Sequence, residues 1–278
     1  MATPLVIYID DYATEEQVAL NRFGVRTTRV AMEPSNLHTL GIGGTVALIR
    51  GPKLKPQQFE KLCSVLSGAG ISSRTFPASF LALSNSDTYE RSIQANVPEM
   101  RTMSITSKSL IQEISKLSDW GQVFVRSELG SAAKISGIES CLIRKFGQEE
   151  IKEKIDSLKR AHPNATKVVV RKVVDVRKVD GKSVEGRFVV LAGEVRYLDH
   201  FDPGALPLKQ TFESVHLGSA ALVADNLRRD GIDGDYFIDI AELEAGGWFV
   251  VEIKPLLNGS IRNTAAFAAS LLRTSGGG

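Results

Sequence analysis

Two carboxylates set among apolar residues are the strongest chemical signal in the chain. Asp239 lies in YFIDIAELE, and Glu252 follows thirteen residues later in WFVVEIKP. If each run is a strand and the polar stretch between them a turn, the two acids stand side by side on neighbouring antiparallel strands. Paired carboxylates repel unless a cation lies between them. Hard oxygen donors suit Mg²⁺, which usually takes phosphate oxygens as well. A plainer arrangement leaves each acid in a salt bridge to a Lys or Arg at its strand end.

A second segment, VFVRSELGSAAKISG, ends a strand at Arg126, passes through small residues and opens a returning strand at Lys134. Small side chains let backbone N–H groups approach phosphate oxygens, while Arg and Lys supply positive charge. An ordinary hairpin also explains the pattern, and GxxxxGK[ST] is absent. A third segment runs from the apolar stretch Val168–Val176 into a hairpin carrying Glu185 and Arg187. Backbone groups in an extended linker can read an adenine edge, and Arg187, alternating with apolar residues, projects to one face of its strand. The alternative is a solvated edge strand with a surface arginine.

Other features carry less. Leu40-Gly-Ile-Gly-Gly-Thr precedes a strand instead of following one, so it reads as a turn and not as a dinucleotide loop. The four histidines show no HxxxH or HExxH spacing. His200, beside Asp199 and Asp202, is a candidate for an acceptor site or a surface loop residue. Cys63 falls on the apolar stripe of a helix and reads as core.

The elements that must position these residues form three groups. In residues 1–100, Leu5–Ile9 and Val46–Arg50 read as buried strands and Lys55–Ala69 as a helix with Pro56 in its first turn. Ser73–Phe76 and Phe80–Leu83 read as strands separated by Pro77, and Asp87 as the cap of a helix reaching Ala95. This is an α/β lobe with a largely parallel sheet. Residues 101–180 read as an α+β lobe: helix Ser109–Leu117, strands Val123–Ser127 and Lys134–Ile138, helix Gln148–Ala161, strand Val168–Val176. Residues 181–278 contain a hairpin, Arg187–Leu191 with Val195–Leu198, about an Ala192-Gly193-Glu194 turn. Helix Phe212–Arg229, strands Tyr236–Ala241 and Trp248–Ile253, and helix Ile261–Leu272 follow.

The three segments, in this order, resemble the ATP-grasp superfamily over about residues 105–260, and especially its small bacterial and phage members. The pattern E-x-R-F-x-V-x-x-G-x-V, then D-x-A, then V-E-I-N-P reads here as Glu185-Gly-Arg187-Phe188 through Val195, then Asp239-Ile-Ala241, then Val251-Glu252-Ile-Lys254-Pro255. The resemblance implies an α+β fold with an α/β N-terminal lobe on the substrate side and a two-lobed nucleotide site. It further implies that Arg126 and Lys134 contact ATP phosphates, that Arg171, Lys172, Val173 and Val174 line the adenine, and that Glu185 belongs to the same site. Arg187 would face the transferred phosphoryl group, and Asp239 and Glu252 would hold Mg²⁺. Lys254 stands where relatives carry Asn. A protonated lysine has no lone pair for magnesium; it neutralises a phosphate, or it marks a chain with one metal site or reduced activity. Asn258 is a candidate substitute ligand.

The implied activity is an ATP-dependent carboxylate–amine ligase working through an acyl phosphate, with an amino acid or peptide as substrate. Its partners would be ATP, Mg²⁺, a small-molecule or peptide carboxylate and an amine acceptor. A kinase of similar fold and a non-catalytic nucleotide-binding homologue are the alternatives. Composition agrees with a globular chain: 43% hydrophobic and 24% charged residues argue against disorder, and a net charge of +2 gives no reason to expect a nucleic acid partner. No window approaches the roughly 18–20 apolar residues of a membrane span. Two cysteines without CxxC spacing suit a reducing compartment, so a cytoplasmic location is expected.

Overall fold

The computed structural model describes residues 5–31, 44–52, 54–84, 96–128, 138–200, 206–258, 261 and 263–274, with backbone alone at 199–200, 206–211, 258 and 274. Three four-stranded sheets organise them.

The first sheet contains β1 (Leu5–Ile9), β2 (Arg26–Val30), β3 (Thr45–Arg50) and β4 (Ile71–Ser73), in the order β2-β1-β3-β4 with every pairing parallel. Helix α1 (Thr14–Arg22) connects β1 to β2, and α2 (Pro56–Gly68) connects β3 to β4. All five residues of β1 are buried, as a parallel strand covered on both faces requires. Leu5, Ile7, Ala47 and Ile49 meet Phe59, Leu62 and Leu66 of α2 on one face. Val6, Tyr8 and Leu48 join the opposite core, where residues of the third sheet wait.

The strands expected at Ser73–Phe76 and Phe80–Leu83 are not formed. Ile71–Ser73 is the strand, and α3 (Pro77–Ser84) is a helix. Pro77 suits a first helical turn, where no N–H partner is needed. Phe80 and Leu83, three apart, then bury on one helical face: Phe80 stacks on Phe59 with ring centroids 4.1 Å apart, and Leu83 reaches the core of the third sheet. The helix expected from Asp87 and the turn Leu40–Gly44 fall largely outside the described residues.

The second sheet is antiparallel, in the order β5-β8-β6-β7: β5 (Met100–Ser104), β6 (Val123–Ser127), β7 (Leu142–Ile143) and β8 (Lys167–Lys172). Helices α4 (Leu110–Ser115) and α5 (Gln148–Ala161) cover one face through Ile114, Ile151, Ile155 and Leu158. Val123, Val125, Val168 and Val170 point into that core, so alternation turns Arg126 and Arg171 to the other face. The strand read as Val168–Val176 ends at Lys172, and only Val176 goes on to form an isolated bridge with Leu243. Lys134–Gly137 lie outside the described residues. Ile138 opens a short 3₁₀ turn, and the segment seen pairing back on β6 is Leu142–Ile143.

A small ribbon, β9 (Lys178–Val179) with β10 (Lys182–Ser183), leads into the third sheet. That sheet is antiparallel, in the order β12-β11-β13-β14: β11 (Glu185–Leu191), β12 (Glu194–His200), β13 (Tyr236–Glu242) and β14 (Trp248–Pro255). Ala192 and Gly193 both take positive φ, 50° and 80°, the conformation of a tight two-residue hairpin. One face packs on α6 (Leu206–Arg229) through Phe188, Val190, Ile238, Ile240, Val250 and Ile253. The lower half of the other face, with Val189, Leu191 and Phe237, packs on the first sheet and α7 (Thr264–Thr274). Among the described residues no helix is long and apolar enough to cross a membrane.

Polar contacts also join the first and third sheets. The buried Asp235, just before β13, takes Arg74 at 2.9 Å and the Ala192 N–H at 3.0 Å. Gly51 N–H donates to Leu257 O at 2.8 Å.

Candidate functional site

The other half of that shared face brings together four of the residues named from the sequence. Arg187, Asp239 and Glu252 lie in one cross-strand row, with Arg187 opposite Asp239 and Asp239 opposite Glu252. Arg187 Nε and Nη2 donate to the two Asp239 oxygens at 2.7 and 2.8 Å, a bidentate pair. Its guanidinium sits 4.9 Å from the Phe237 ring centroid. Lys254 Nζ lies 2.9 Å from Glu252 Oε2 and 3.5 Å from Asp239 Oδ2, so one ammonium bridges both acids.

The acids differ in setting. Asp239 is buried, its side chain 3% exposed, whereas the Glu252 side chain is 45% exposed. Burial pushes the Glu252 carboxyl up, but Lys254, assisted by Arg126 and Arg187, outweighs it and holds the group below the usual carboxylate range. Glu185, two residues before Arg187 on β11, is pushed up by burial and by the Asp239 charge.

Arg126 of β6 adds to the lowering of the Glu252 carboxyl. The other expected nucleotide residues are engaged within the protein. Arg171 donates from Nη1 to Val251 O and from Nη2 to Val250 O, both at 2.5 Å, which ties β8 to β14. Lys172 pairs with Glu99 at 2.7 Å. Val173 N–H donates to Gln122 O at 2.9 Å, and Val174 is half-buried beside it. Lys134 and the side chains of Asn258, Asp199 and His200 lie outside the described residues.

The sequence reading put the first lobe on the substrate side but named none of its residues at the site. Arg50, fully buried at the end of β3, donates from Nε and Nη2 to Glu16 at 2.9 and 2.8 Å and from Nη1 to Leu256 O just beyond β14. Tyr8 Oη donates to the same carboxylate at 2.7 Å. The Tyr12 ring lies 5.7 Å from the Arg50 guanidinium carbon. Burial raises the Tyr12 hydroxyl, while Arg50 and Lys254 pull it the other way. The available signal was an arginine closing an apolar strand, a costly burial without a partner.

No protein-family model matches the chain, and no curated protein matches it by sequence. Solved structures do match. VanG D-Ala:D-Ser ligase from Enterococcus faecalis superposes with a TM-score of 0.63 at 11% identity, covering 98% of each chain. D-cycloserine synthetase DcsG gives 0.61 at 14% identity, covering 96% of this chain and 99% of the other. The ATP-grasp ligase PsnB, complexed with minimal precursor, gives 0.56 at 10% identity, covering 98% and 99%. This chain has the ATP-grasp fold.

An ATP-grasp fold raises the question of magnesium. Among the described residues no group of three His, Cys, Asp or Glu side chains stands close enough together to hold a metal. Magnesium, however, is usually held by one or two carboxylates together with phosphates and water. Asp239 and Glu252 are two such carboxylates in register, and the half-exposed Glu252 offers oxygen to solvent. This donor set fits one magnesium ion shared with a phosphate. A third oxygen donor is missing at position 254, where an ammonium stands instead.

Proposed function

We propose that this chain binds ATP between its second and third sheets and uses it to join a carboxylate to an amine through an acyl phosphate. The observation that carries this reading is the row Arg187–Asp239–Glu252 with Lys254 bridging its acids, on the inward face of an ATP-grasp sheet. A triphosphate brings several negative charges, and Arg187, Lys254 and Arg126 supply fixed positive charge from three strands. Arg187 can exchange part of its fork on Asp239 for phosphoryl oxygens, because a planar guanidinium suits carboxylate and phosphate alike. Lys254 neutralises phosphate charge directly. Asp239 and Glu252 would hold one magnesium ion, which would neutralise charge on the phosphates.

In the proposed reaction a substrate carboxylate oxygen attacks the terminal phosphorus, and the bond to the ADP oxygen breaks. The amine, as its free base, then attacks the acyl carbon, the bond from that carbon to the bridging oxygen breaks, and inorganic phosphate leaves with that one carboxylate oxygen and the proton the amine gives up. The buried walls around Asp239 and Phe237 limit water near the acyl phosphate, which would otherwise hydrolyse. The first sheet packs against the third through the core around Tyr8, Val189 and Phe237, and it is the proposed substrate side.

The experiment is a thermal shift with ATP, with and without Mg²⁺, followed by paired assays of ADP and phosphate release across amino-acid and peptide carboxylates with amine acceptors. Ligand at 100 times its Kd adds about 2.7 kcal/mol to stability. Absence of any ATP-dependent shift overturns the reading. The bridging ammonium of Lys254 favours one second reading, a nucleotide-binding protein without turnover. Binding with no ADP release across the acceptor panel would establish it.

A further inference from the structure

The pairing of Asp239 with Glu252 depends on one extra residue. From Glu242↔Trp248 through Ala241↔Phe249 to Ile240↔Val250 the β13–β14 register is regular, and continuing it would place Val251 opposite Asp239. Instead the register shifts, and Glu252 stands there, with Val251 as the bulged residue. The cores record the same shift. Val250 and Ile253, three residues apart, both point into the α6-side core, so side-chain parity reverses between them. Without the bulge, Glu252 would share the face of Val250 and enter an apolar core, and the acid pair would not exist.

A bulge takes backbone groups out of the ladder, and buried carbonyls need donors. Arg171 meets this need. Its two terminal nitrogens donate one each to Val250 O and Val251 O, the carbonyls on either side of the parity change. The guanidinium carbon lies 5.8 Å from the Phe249 ring centroid, on the strand it grips. Arg171 belongs to β8, in a different sheet from the acids.

We infer that Arg171 is a positioning residue: by clamping the Val250–Val251 bulge from the second sheet, it sets Glu252 opposite Asp239, so the acid pair is assembled only when the two sheets are docked. The functional consequence rests on the proposed nucleotide site; the structural claim does not. Arg171 then acts on the metal-dependent part of nucleotide binding through Glu252 and not by lining the adenine.

The test compares Arg171→Met and Arg171→Lys with wild type in two measurements. In the first, hydrogen exchange is followed in ligand-free protein over residues 248–255, with the β11–β12 hairpin as internal reference. Arg171→Met should lose protection in 248–255 while the hairpin keeps its own, and Arg171→Lys, which keeps a charged donor group but has one nitrogen in place of the two-nitrogen fork, should lie between. In the second, ATP is titrated in EDTA and in Mg²⁺. Loss of support behind a metal-holding side chain typically costs about 10- to 100-fold in metal affinity. Arg171→Met should therefore weaken Mg²⁺-dependent binding by that order and leave binding in EDTA near wild type. Unchanged protection over 248–255 overturns the inference, as does an equal loss of ATP affinity in both media, which would mean direct nucleotide contact. If wild type binds no ATP, the proposed function fails on its own and the exchange measurement still decides the role of Arg171.

Discussion

Lys254 is the residue at which this chain departs from the acid–acid–amide pattern it resembles, and replacing it with Asn tests what the departure does. Its ammonium lies 2.9 Å from Glu252 and 3.5 Å from Asp239. At those distances and an effective dielectric near 20, each attraction is on the order of 5 kcal/mol before desolvation. Little of that is net: Glu252 is 45% exposed and screened by water, and Asp239 is already held by Arg187. The fold should therefore tolerate Lys254→Asn. Toward a phosphate the lost interaction is one charge-assisted hydrogen bond, about 1.5–3 kcal/mol, or roughly 10- to 150-fold in affinity. Titration calorimetry of ATP in EDTA should show that loss. In Mg²⁺ it should be smaller, because the amide oxygen supplies a ligand that lysine withheld. Any ADP release shown by the wild type should fall in the variant. Unchanged affinity in EDTA, or a gain of Mg²⁺-dependent turnover in the variant, would refute the reasoning and identify the natural lysine as the residue that silences the site.

Three further outcomes follow from the structure. Asp239→Asn and Glu252→Gln should each abolish the Mg²⁺-dependent part of the ATP thermal shift; a shift that keeps its full magnesium dependence in both would exclude them as ligands. A Cβ at Gly186 would lie 2.4 Å from Phe212 Cε1 and 3.0 Å from Tyr197 Cε2, so Gly186→Ala should destabilise by about 1–3 kcal/mol in urea unfolding, and a neutral result would show that the α6 packing can yield. Burial pushes Asp235 up to about 6 from 3.8 against the pull of Arg74, so the native state keeps a proton that the unfolded chain has lost between those values, and this group's contribution should fall by about 2 kcal/mol as pH rises from 4 to 7. Asp235→Asn should accordingly gain stability relative to wild type over that window, and a relative loss would show that Arg74 outweighs burial.

How much of this was legible varies with the range of the interaction. The strands carrying Asp239 and Glu252 were readable because two apolar runs flank a short polar turn. That the acids face each other was an assumption of parity, and simple hairpin counting contradicts it, giving Val251 opposite Asp239. Nothing in Val250-Val251-Glu252 marks which residue will bulge, since both valines suit either face. What selects the bulge is a donor on another strand, 79 and 80 residues away in sequence. Arg50 is the same case at greater range, donating to a carbonyl 206 residues away. Local patterning failed differently at Phe80–Leu83, where a short apolar run is compatible with strand or helix until Phe59 supplies the surface to stack on.

The site's electrostatics carry this dependence on distant parts into function. The acids occupy one sheet, but the charges that hold Glu252 ionised come from two: Lys254 and Arg187 beside it, and Arg126 across from β6. Separating the second sheet from the third would remove Arg126 and the Arg171 clamp together. Loss of the clamp frees the bulge that aims Glu252. Any ligand that needs a correctly aimed Glu252 must therefore bind the docked arrangement more tightly than the open one, and by linkage its binding must favour docking by the same free energy.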